Sequence, residues 1–329
     1  RKSYRRLGES LTRQSKRGFR SSANRKSNNR KRWQMPEITI FNPQLSPDDY
    51  FRDELAPEAS LTQSLAKTLL EYSPRHAWLE SPRLNPAFRQ DDDKKYDIGN
   101  IAHSLLIGLG KRIKIIEADD WRTKAAKEAR DEAAAEGILG VLPKHVTQAN
   151  RMIEAAKGQL IDLELFDDFE EADGEVCAVW QQDQIWMRTM IDKLTNDKRL
   201  VFDYKTTEAS ASPSAVSRKM ATDGWDIQAA THALALNAVH PDGAGRRTHL
   251  FICQENYPPY ALTVSELSES VLTMGHKKLL VAMEIWQECM ESNNWPMYPA
   301  RIIRPEYPEY LESAWIKREM EMGHEAFRT

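Results

Sequence analysis

Cysteine is scarce in this chain, and the few cysteines are far apart. The 329 residues include three, Cys177, Cys253 and Cys289, and no Cys-x-x-Cys pair. Disulfide frameworks and zinc sites use more closely spaced cysteines, and three thiols do not supply the four ligands of an iron–sulfur cluster. We therefore predict three reduced, buried thiols, with Cys177 and Cys253 in strands and Cys289 in a helix.

Long apolar runs are also missing. No segment approaches the roughly 18 apolar residues of a membrane span, and no apolar stretch near residue 1 resembles a secretory signal. The Arg- and Ser-rich start resembles an organelle transit peptide in composition, but such a presequence is absent from a mature chain. With 41% hydrophobic residues and nine Trp, the sequence predicts a sizeable core and excludes collagen-like and wholly disordered chains.

Acidic residues are nearly absent from the first 32 positions. That segment holds 13 basic residues and one acidic residue, Glu9, so its charge is 13 − 1 = +12. From totals of 46 Lys+Arg and 49 Asp+Glu, the remainder keeps 33 basic and 48 acidic residues, a charge of −15. We interpret residues 1–35 as a flexible basic arm that either binds nucleic-acid phosphates without sequence preference or links to an upstream region. Its candidate DNA contacts are Arg25, Lys26, Arg30, Lys31 and Arg32.

Residues 36–329 are predicted to form a single domain. It has a helical part at 60–160, a sheet core at 174–265, and a long helix with a Pro-rich tail at 266–329. One helix is predicted to begin at Ser60 and to end near Ser73-Pro74, and a second is predicted to follow a cap at Asp97. Further helices are predicted at about 121–136, 145–158, 213–221, 226–238 and 266–292. Predicted strands are GEVCAVWQ, QIWMRTMIDKL, RLVFDYKTT, THLFICQE and YALTVSE, with turns at Gln182-Asp183 and Asn196-Asp197. This order predicts an α/β fold around a mixed sheet.

The stretch 188–207, RTMIDKLTNDKRLVFDYKTT, is the most informative part of the sequence. Alternate side chains of a strand share a face, so Asp203 and Lys205 project together, whereas the residues on either side of Asp203 point the other way. If the hairpin turn centres on residues 197–198, Asp192 lies directly opposite Asp203 on the same face. A turn shifted by one residue would offset this pairing.

Two facing carboxylates repel each other unless a cation lies between them, and Asp oxygens suit Mg²⁺ or Mn²⁺. A lysine two residues beyond the second carboxylate can hold an attacking water or neutralise charge on a phosphate. The alternative is a solvated salt bridge across an exposed sheet face. Apolar Val201, Phe202 and Tyr204 argue against full exposure, but the pattern alone leaves both interpretations open.

Further candidate residues lie on neighbouring elements. Gly99 and His103 share a helix face at spacing i, i+4, so the glycine leaves room for an approach to the imidazole. Glu175 begins the first strand of the core, and Gln228 precedes His232 by one helical turn. Each of these residues alone is most simply an ordinary polar position.

The combined order is Gly-x-x-x-His, Glu on a strand, Asp on the next strand, Asp-x-Lys on the third, and Gln on a helix. It resembles the PDDEXK nuclease superfamily, and within it the exodeoxyribonuclease VIII-like (RecE/YqaJ/RecB-type) nuclease domains of phages and prophages. The stretches that carry the resemblance lie within roughly residues 60–240: YDIGNIAHSLLIG, DWRTKAAKEARDEAAAEG, GEVCAVWQ, RTMIDKL, LVFDYKTT and WDIQAATHALAL. The fold implied is a restriction-endonuclease-like core with a central mixed sheet flanked by helices.

The resemblance implies a divalent metal, Mg²⁺ or Mn²⁺, bound by Asp192, Asp203 and His103. It implies Lys205 as the catalytic lysine, with Glu175 beside the metal. The same resemblance implies that Gln228 orients the lysine or a DNA phosphate.

Two departures from the family pattern concern His232, where relatives commonly have Tyr, and the Met-Ile-Asp of the second strand, where many have Arg-Pro-Asp or Arg-Ile-Asp. Arg188 is then a candidate DNA contact near this strand.

The function expected from the resemblance is a metal-dependent deoxyribonuclease, acting as an exonuclease on double-stranded DNA ends in phage-type recombination or repair. Family analogy adds a ring-like homo-oligomer, a single-strand annealing protein as partner, and a cytoplasmic location in a bacterial or phage-infected host cell. The alternatives are a non-catalytic DNA-binding or assembly module and a structure-specific endonuclease.

Overall fold

A computed structural model describes residues 40–42, 45, 47–89, 98–108 and 112–322. These described residues belong to one compact unit that spans Pro36–Thr329. The basic arm with its five candidate DNA contacts lies outside the described residues, as does the predicted cap Asp97. Those predictions are therefore not tested by the structure.

The described residues form eleven α-helices and eight β-strands. The helices are α1 (Pro47–Arg52), α2 (Gln63–Glu71), α3 (Pro74–Glu80), α4 (Ile98–Ile107), α5 (Lys124–Ala135), α6 (Pro143–Asp162), α7 (Phe166–Glu171), α8 (Pro213–Thr222), α9 (Trp225–Val239), α10 (Glu269–Ser292) and α11 (Glu309–Met322). The strands are β1 (Ile40–Asn42), β2 (Ile113–Ile115), β3 (Leu139–Val141), β4 (Asp173–Gln182), β5 (Ile185–Leu194), β6 (Leu200–Thr207), β7 (Thr248–Glu255) and β8 (Leu262–Glu266).

The main sheet has six strands in the order β1-β4-β5-β6-β7-β8. Its neighbouring strands run antiparallel except β6 and β7, which are parallel and are connected through α8 and α9. A second sheet consists of the short parallel pair β2 and β3. The predicted α/β fold with a mixed sheet is confirmed. The edge strand β1 lies outside the predicted sheet core at 174–265.

Helices cover both faces of the main sheet. On one face, α2, α9 and α10 pack against β4 and β5, with Trp180, Met187 and Trp286 fully buried between them. On the other face, α4, α6 and α7 pack against β6 and β7 around Phe202 and Tyr204. Because Asp203 lies between those two residues, its side chain points toward α9, as the strand alternation predicts.

Strands β5 and β6 pair only next to their connecting turn. Their register joins Lys193 to Phe202 and Leu194 to Val201, and continuing it by one step places Asp192 opposite Asp203. The register predicted from the sequence is therefore confirmed, although the backbone ladder ends before that position. The two strands separate there.

Leu61 takes over the edge of β5 that β6 leaves open. Its backbone N donates to the Trp186 carbonyl at 2.8 Å, and its own carbonyl accepts from the Arg188 N at 3.1 Å. The prediction that Leu61 belongs to a helix was wrong, because these ladder bonds hold it in extended backbone. The helix begins instead at Gln63, after Thr62 caps it by accepting from the Leu65 N.

Other boundaries also differ from the predicted ones. Pro74 begins α3 where the sequence suggested only a stop, because proline suits the first turn of a helix. The β4–β5 turn uses Asp183 and Gln184, both at positive φ, one residue later than predicted. The Pro-rich tail contains the helix α11, whose residues are all exposed.

All three cysteines are free and buried, as predicted, with Cys177 in β4, Cys253 in β7 and Cys289 in α10. Among the described residues, none of the helices has both the length and the apolar character needed to span a membrane.

Candidate active site

Asp192 occupies the point where β5 and β6 separate. Its Oδ2 accepts a hydrogen bond of 2.8 Å from the backbone N of Tyr204, so a carboxylate bonds to β6 where the backbone ladder has ended. The same oxygen lies 3.2 Å from Nε2 of His103 on α4. The separation of the two strands therefore opens a gap that is lined by carboxylate and imidazole groups.

Asp203 is buried and lies at the centre of a polar cluster. Its Oδ1 accepts from Lys205 Nζ at 3.2 Å and from Gln228 Nε2 at 2.6 Å. Its Oδ2 lies 3.3 Å from Nδ1 of His232, one turn after Gln228 on α9. Neither ring nitrogen of His232 has a well-aligned hydrogen-bond partner among the described residues. The structure thus brings Gln228 to the carboxylate of Asp203.

These contacts fix the charges of Asp203 and Lys205. Burial alone would raise the pKa of Asp203, but the Lys205 ammonium and the His232 imidazole hold it well below its usual range. Burial works to lower the pKa of Lys205, yet the carboxylates of Asp203 and Asp192 keep it above its ordinary value. At neutral pH the pair is therefore an ionised carboxylate beside an ammonium group.

Lys205 also lies above an aromatic stack. Its Nζ is 5.7 Å from the ring centroid of Phe251 on β7, and that ring stacks on Trp225 of α9 at 5.2 Å. An ammonium over an aromatic face is attracted by the ring quadrupole. The ring and the Asp203 carboxylate together hold the lysine at the gap. No sequence pattern reveals this support, because β7 is distant from Lys205 in the chain.

His103 reaches the gap from the opposite side of the sheet. Burial works to lower its pKa, but the adjacent Asp192 carboxylate outweighs this and leaves the pKa raised. Gly99, one turn earlier on α4, is buried, in keeping with the predicted helix face.

Glu175 has the most unusual backbone of the predicted site residues. Its φ is +47°, a left-handed conformation that non-glycine residues rarely adopt, and the β4–β5 ladder is interrupted at this residue. Burial raises the pKa of Glu175, the Asp192 carboxylate adds to this rise, and His103 opposes it. Its Oε2 is buried with no hydrogen-bond partner among the described residues. Strain combined with an unsatisfied carboxylate is typical of a functional site.

Arg188 does not have the role predicted for it. Its guanidinium is buried and forms an ion pair with Asp53 while also donating to Ser60 Oγ at 2.7 Å. It also lies over the ring of Tyr50 at 5.3 Å. A DNA contact by Arg188 stays a prediction that this burial disfavours, because the guanidinium is neutralised inside the protein, where it ties the chain before α2 to β5.

A metal ion fits the chemistry of the gap, although the ligand set stays a prediction. Among the described residues, no three His, Cys, Asp or Glu side chains already converge as a metal-binding group. His103 and Asp192 meet directly, and Glu175 offers a buried oxygen that has no hydrogen-bond partner in the described part of the chain. Carboxylate oxygens and an imidazole nitrogen are donors that a divalent cation accepts. The carboxylate oxygens of Asp203 already contact Lys205, Gln228 and His232. Of the three predicted metal ligands, Asp203 therefore has the least direct support.

A second buried imidazole lies near the cluster. The pKa of His249 on β7 is lowered to about 4, mainly by burial and in part by the nearby His232, while Asp203 opposes the change. Between about pH 6.5 and pH 4, the His249 imidazole is therefore protonated in the unfolded chain and neutral in the folded chain. The contribution of the neutral His249 to the free energy of unfolding is fully present above the pKa that this histidine has in the unfolded chain. It is lost as the pH falls through that window.

We expect the free energy of unfolding of the wild-type protein to fall more steeply than that of His249→Asn across this window. The difference in slope should approach about 1.4 kcal/mol per pH unit. Denaturant titrations at pH 7, 6, 5 and 4.5 measure it, with exposed His276→Asn on α10 as the matched control. Equal slopes for His249→Asn and wild type would contradict the prediction.

A mixed sheet that carries Asp192, Asp203 and Lys205 where two strands separate has the architecture of the PDDEXK-like class. The sequence model of a PDDEXK-like domain of unknown function (DUF3799) matches residues 63–303, and the chain belongs to this family. The predicted resemblance to the PDDEXK superfamily is thereby confirmed, and family membership supports a nuclease. The exodeoxyribonuclease VIII-like type stays a prediction.

Among solved structures, the chain is similar to the protein named "Putative exonuclease" from Eubacterium rectale. The match has a TM-score of 0.54 and 12% identity, and it covers 82% of this chain and 98% of that chain. A match to SSO0001 has a TM-score of 0.23 and 11% identity over 59% of this chain and 88% of that chain. No curated protein matches the sequence. At these identities the first structure supports the fold, and the second carries no argument.

Proposed function

We propose that this protein is a metal-dependent deoxyribonuclease that hydrolyses DNA phosphodiester bonds. The observation that carries the proposal is the cluster of Asp192, Asp203 and Lys205 where β5 and β6 separate, with Gln228 bonded to Asp203. A solvated surface salt bridge, the alternative open from the sequence, is disfavoured because Asp203 is only 1% exposed. Buried charged groups with perturbed pKa values at a gap in a sheet are more typical of a functional site than of a structural ion pair.

In this proposal, His103, Asp192 and Asp203 would hold Mg²⁺ or Mn²⁺, and Glu175 would lie beside the ion. When bound, the ion would supply Lewis-acid chemistry, activating a water and polarising the phosphate. Lys205, held as an ammonium, neutralises charge that develops on the phosphate oxygens. Gln228 fixes the orientation of the Asp203 carboxylate through its hydrogen bond of 2.6 Å.

The proposed substrate is a double-stranded DNA end, which makes the enzyme an exonuclease in phage-type recombination or repair. Support comes from the sequence resemblance and from the name of the Eubacterium rectale neighbour. The same resemblance suggests a ring-like homo-oligomer and a single-strand annealing protein as partner. The basic arm would add contacts to backbone phosphates that weaken steeply with salt.

End-labelled linear duplex DNA should be degraded by the purified protein in Mg²⁺ and should stay intact in EDTA. Asp203→Asn should slow cleavage by about 10³-fold, because the substitution removes the charge that pairs with Lys205 and the cation. Asp131→Asn, which changes an exposed carboxylate on α5, is the matched control and should leave the rate unchanged. Gel assays of single-turnover rates measure both.

Other results point to the alternative functions. Cleavage of closed-circular DNA as fast as linear DNA would favour a structure-specific endonuclease. DNA binding without Mn²⁺ binding or cleavage would favour a non-catalytic binding module. An unchanged rate for Asp203→Asn would contradict the site assignment.

A further inference from the structure

Tyr204 contacts both His103 and Asp192. Its backbone N donates to Asp192 Oδ2 at 2.8 Å, and its ring lies against the His103 ring at a centroid distance of 6.2 Å, tilted by 38°. The distance from His103 Nε2 to Asp192 Oδ2 is 3.2 Å. The position of the Tyr204 ring therefore affects how these two groups face each other.

A buried glutamine holds the far end of that ring. The Tyr204 hydroxyl donates to Gln254 Oε1 at 2.5 Å, and both residues are almost fully buried. Burial raises the pKa of Tyr204, so the phenol keeps its proton and remains a donor. A buried hydroxyl and a buried amide that satisfy each other are costly to separate.

The amide of Gln254 is fixed in turn by two other elements. Its Nε2 donates to the Met152 carbonyl on α6 at 2.9 Å and to the Tyr260 carbonyl at 3.0 Å. Its single oxygen accepts from Tyr204, so the amide has one satisfied orientation. Helix α6 packs against α4, which carries His103. The network therefore links Tyr204 on β6, which bonds to Asp192, to α6, which packs against the helix that carries His103.

We infer that Tyr204 and Gln254 are positioning residues that set the geometry of His103 against Asp192. Both side chains are buried, and both act through His103 and Asp192, which line the gap. The effect on metal affinity rests on the proposed function, whereas the effect on the orientation of His103 does not. Groups that orient metal ligands from behind typically change metal affinity by about 10–100-fold when they are lost.

Tyr204→Phe tests the inference because it keeps the ring and removes only the hydroxyl. In the metal-free protein, it should shift the imidazole NMR resonances of His103, assigned among the eight histidines with His103→Asn. The Kd for Mn²⁺, measured by calorimetry, should rise about tenfold. Gln254→Met should have a similar effect, and the double variant should be no worse than either single variant, because the two side chains act as one hydrogen-bonded unit.

Gln148→Met is the matched control. Gln148 Nε2 donates to the Asn256 carbonyl at 2.7 Å, so it ties α6 to the same region after β7 without touching Tyr204. It should leave the His103 resonances and the Mn²⁺ Kd unchanged. Equal effects from Gln148→Met and Tyr204→Phe would mean that Tyr204 and Gln254 contribute only ordinary packing, which would overturn the inference.

The remaining outcomes separate the two proposals. A wild-type protein that binds no Mn²⁺ would overturn the metal-dependent function, and the His103 resonances would still decide the positioning role. Unchanged His103 resonances in Tyr204→Phe would overturn the inference even if the wild type cleaves DNA. Additive losses in the double variant would also overturn it.

Discussion

Lys205→Met should lower the single-turnover rate of DNA cleavage by about 10²–10³-fold. The lysine Nζ is held between Asp203 Oδ1 at 3.2 Å and the face of Phe251 at 5.7 Å, so its charge is fixed at the gap before any phosphate arrives. Methionine retains the length of the side chain but removes the ammonium group. Rates at saturating Mg²⁺ measure the loss, and a thermal melt shows whether the variant is folded.

Lys157 offers a closely matched control for this substitution. It also pairs with a carboxylate, Glu170, at 3.6 Å and also lies over an aromatic ring, that of Phe166, at 5.5 Å. Lys157→Met therefore removes the same kinds of contact away from the gap, and cleavage should continue at the wild-type rate. If Lys205→Met retains full activity in a folded protein, Lys205 is not the catalytic lysine.

Gly275→Ala should destabilise the protein by about 3 kcal/mol, the upper end of the usual cost of overpacking a core. A Cβ at this position of α10 would lie 1.9 Å from the backbone oxygen of Asp226 and 2.4 Å from its carbonyl carbon, and backbone cannot turn away as a side chain can. The two helices would have to move apart and break the ion pair between Lys278 and Asp226, which spans 2.6 Å.

The close contact at Gly275 matters to the site because α9 carries Gln228 two residues beyond Asp226. Denaturant unfolding measures the change in stability, with Gly158→Ala on α6 as the control. A Cβ on Gly158 would meet nothing within 4 Å, so that substitution should stabilise the protein by about 0.5–1 kcal/mol through helix propensity. If Gly275→Ala is as stable as wild type, the tight helix contact does not exist in solution.

The local part of the site was predictable from the sequence. A polar turn between two apolar runs sets the β5–β6 register, and the register alone places Asp192 opposite Asp203. The alternation of side chains then sends Lys205 to the same face. These relations need only the geometry of a hairpin, which short segments determine by themselves.

Relations between distant segments were not predictable in the same way. Arg188 looks like a free basic residue in a strand, and nothing nearby in the chain shows that Asp53, 135 residues earlier, neutralises it. Leu61 continues an apolar helical pattern, but hydrogen bonds to an open strand edge override that preference. The positive φ of Glu175 has no signal in the sequence, because glutamate at a strand start predicts extended backbone.

The segment that covers the open edge of β5 also bears on where this protein can be divided. The family match begins at residue 63, just after Leu61, and it leaves out Asp53 as well. A fragment cut at that boundary would keep the buried charge of Arg188 without its counter-ion and would present an uncovered strand edge to other chains. We therefore expect a fragment that folds independently to include the residues immediately before α2, which lie outside the matched region.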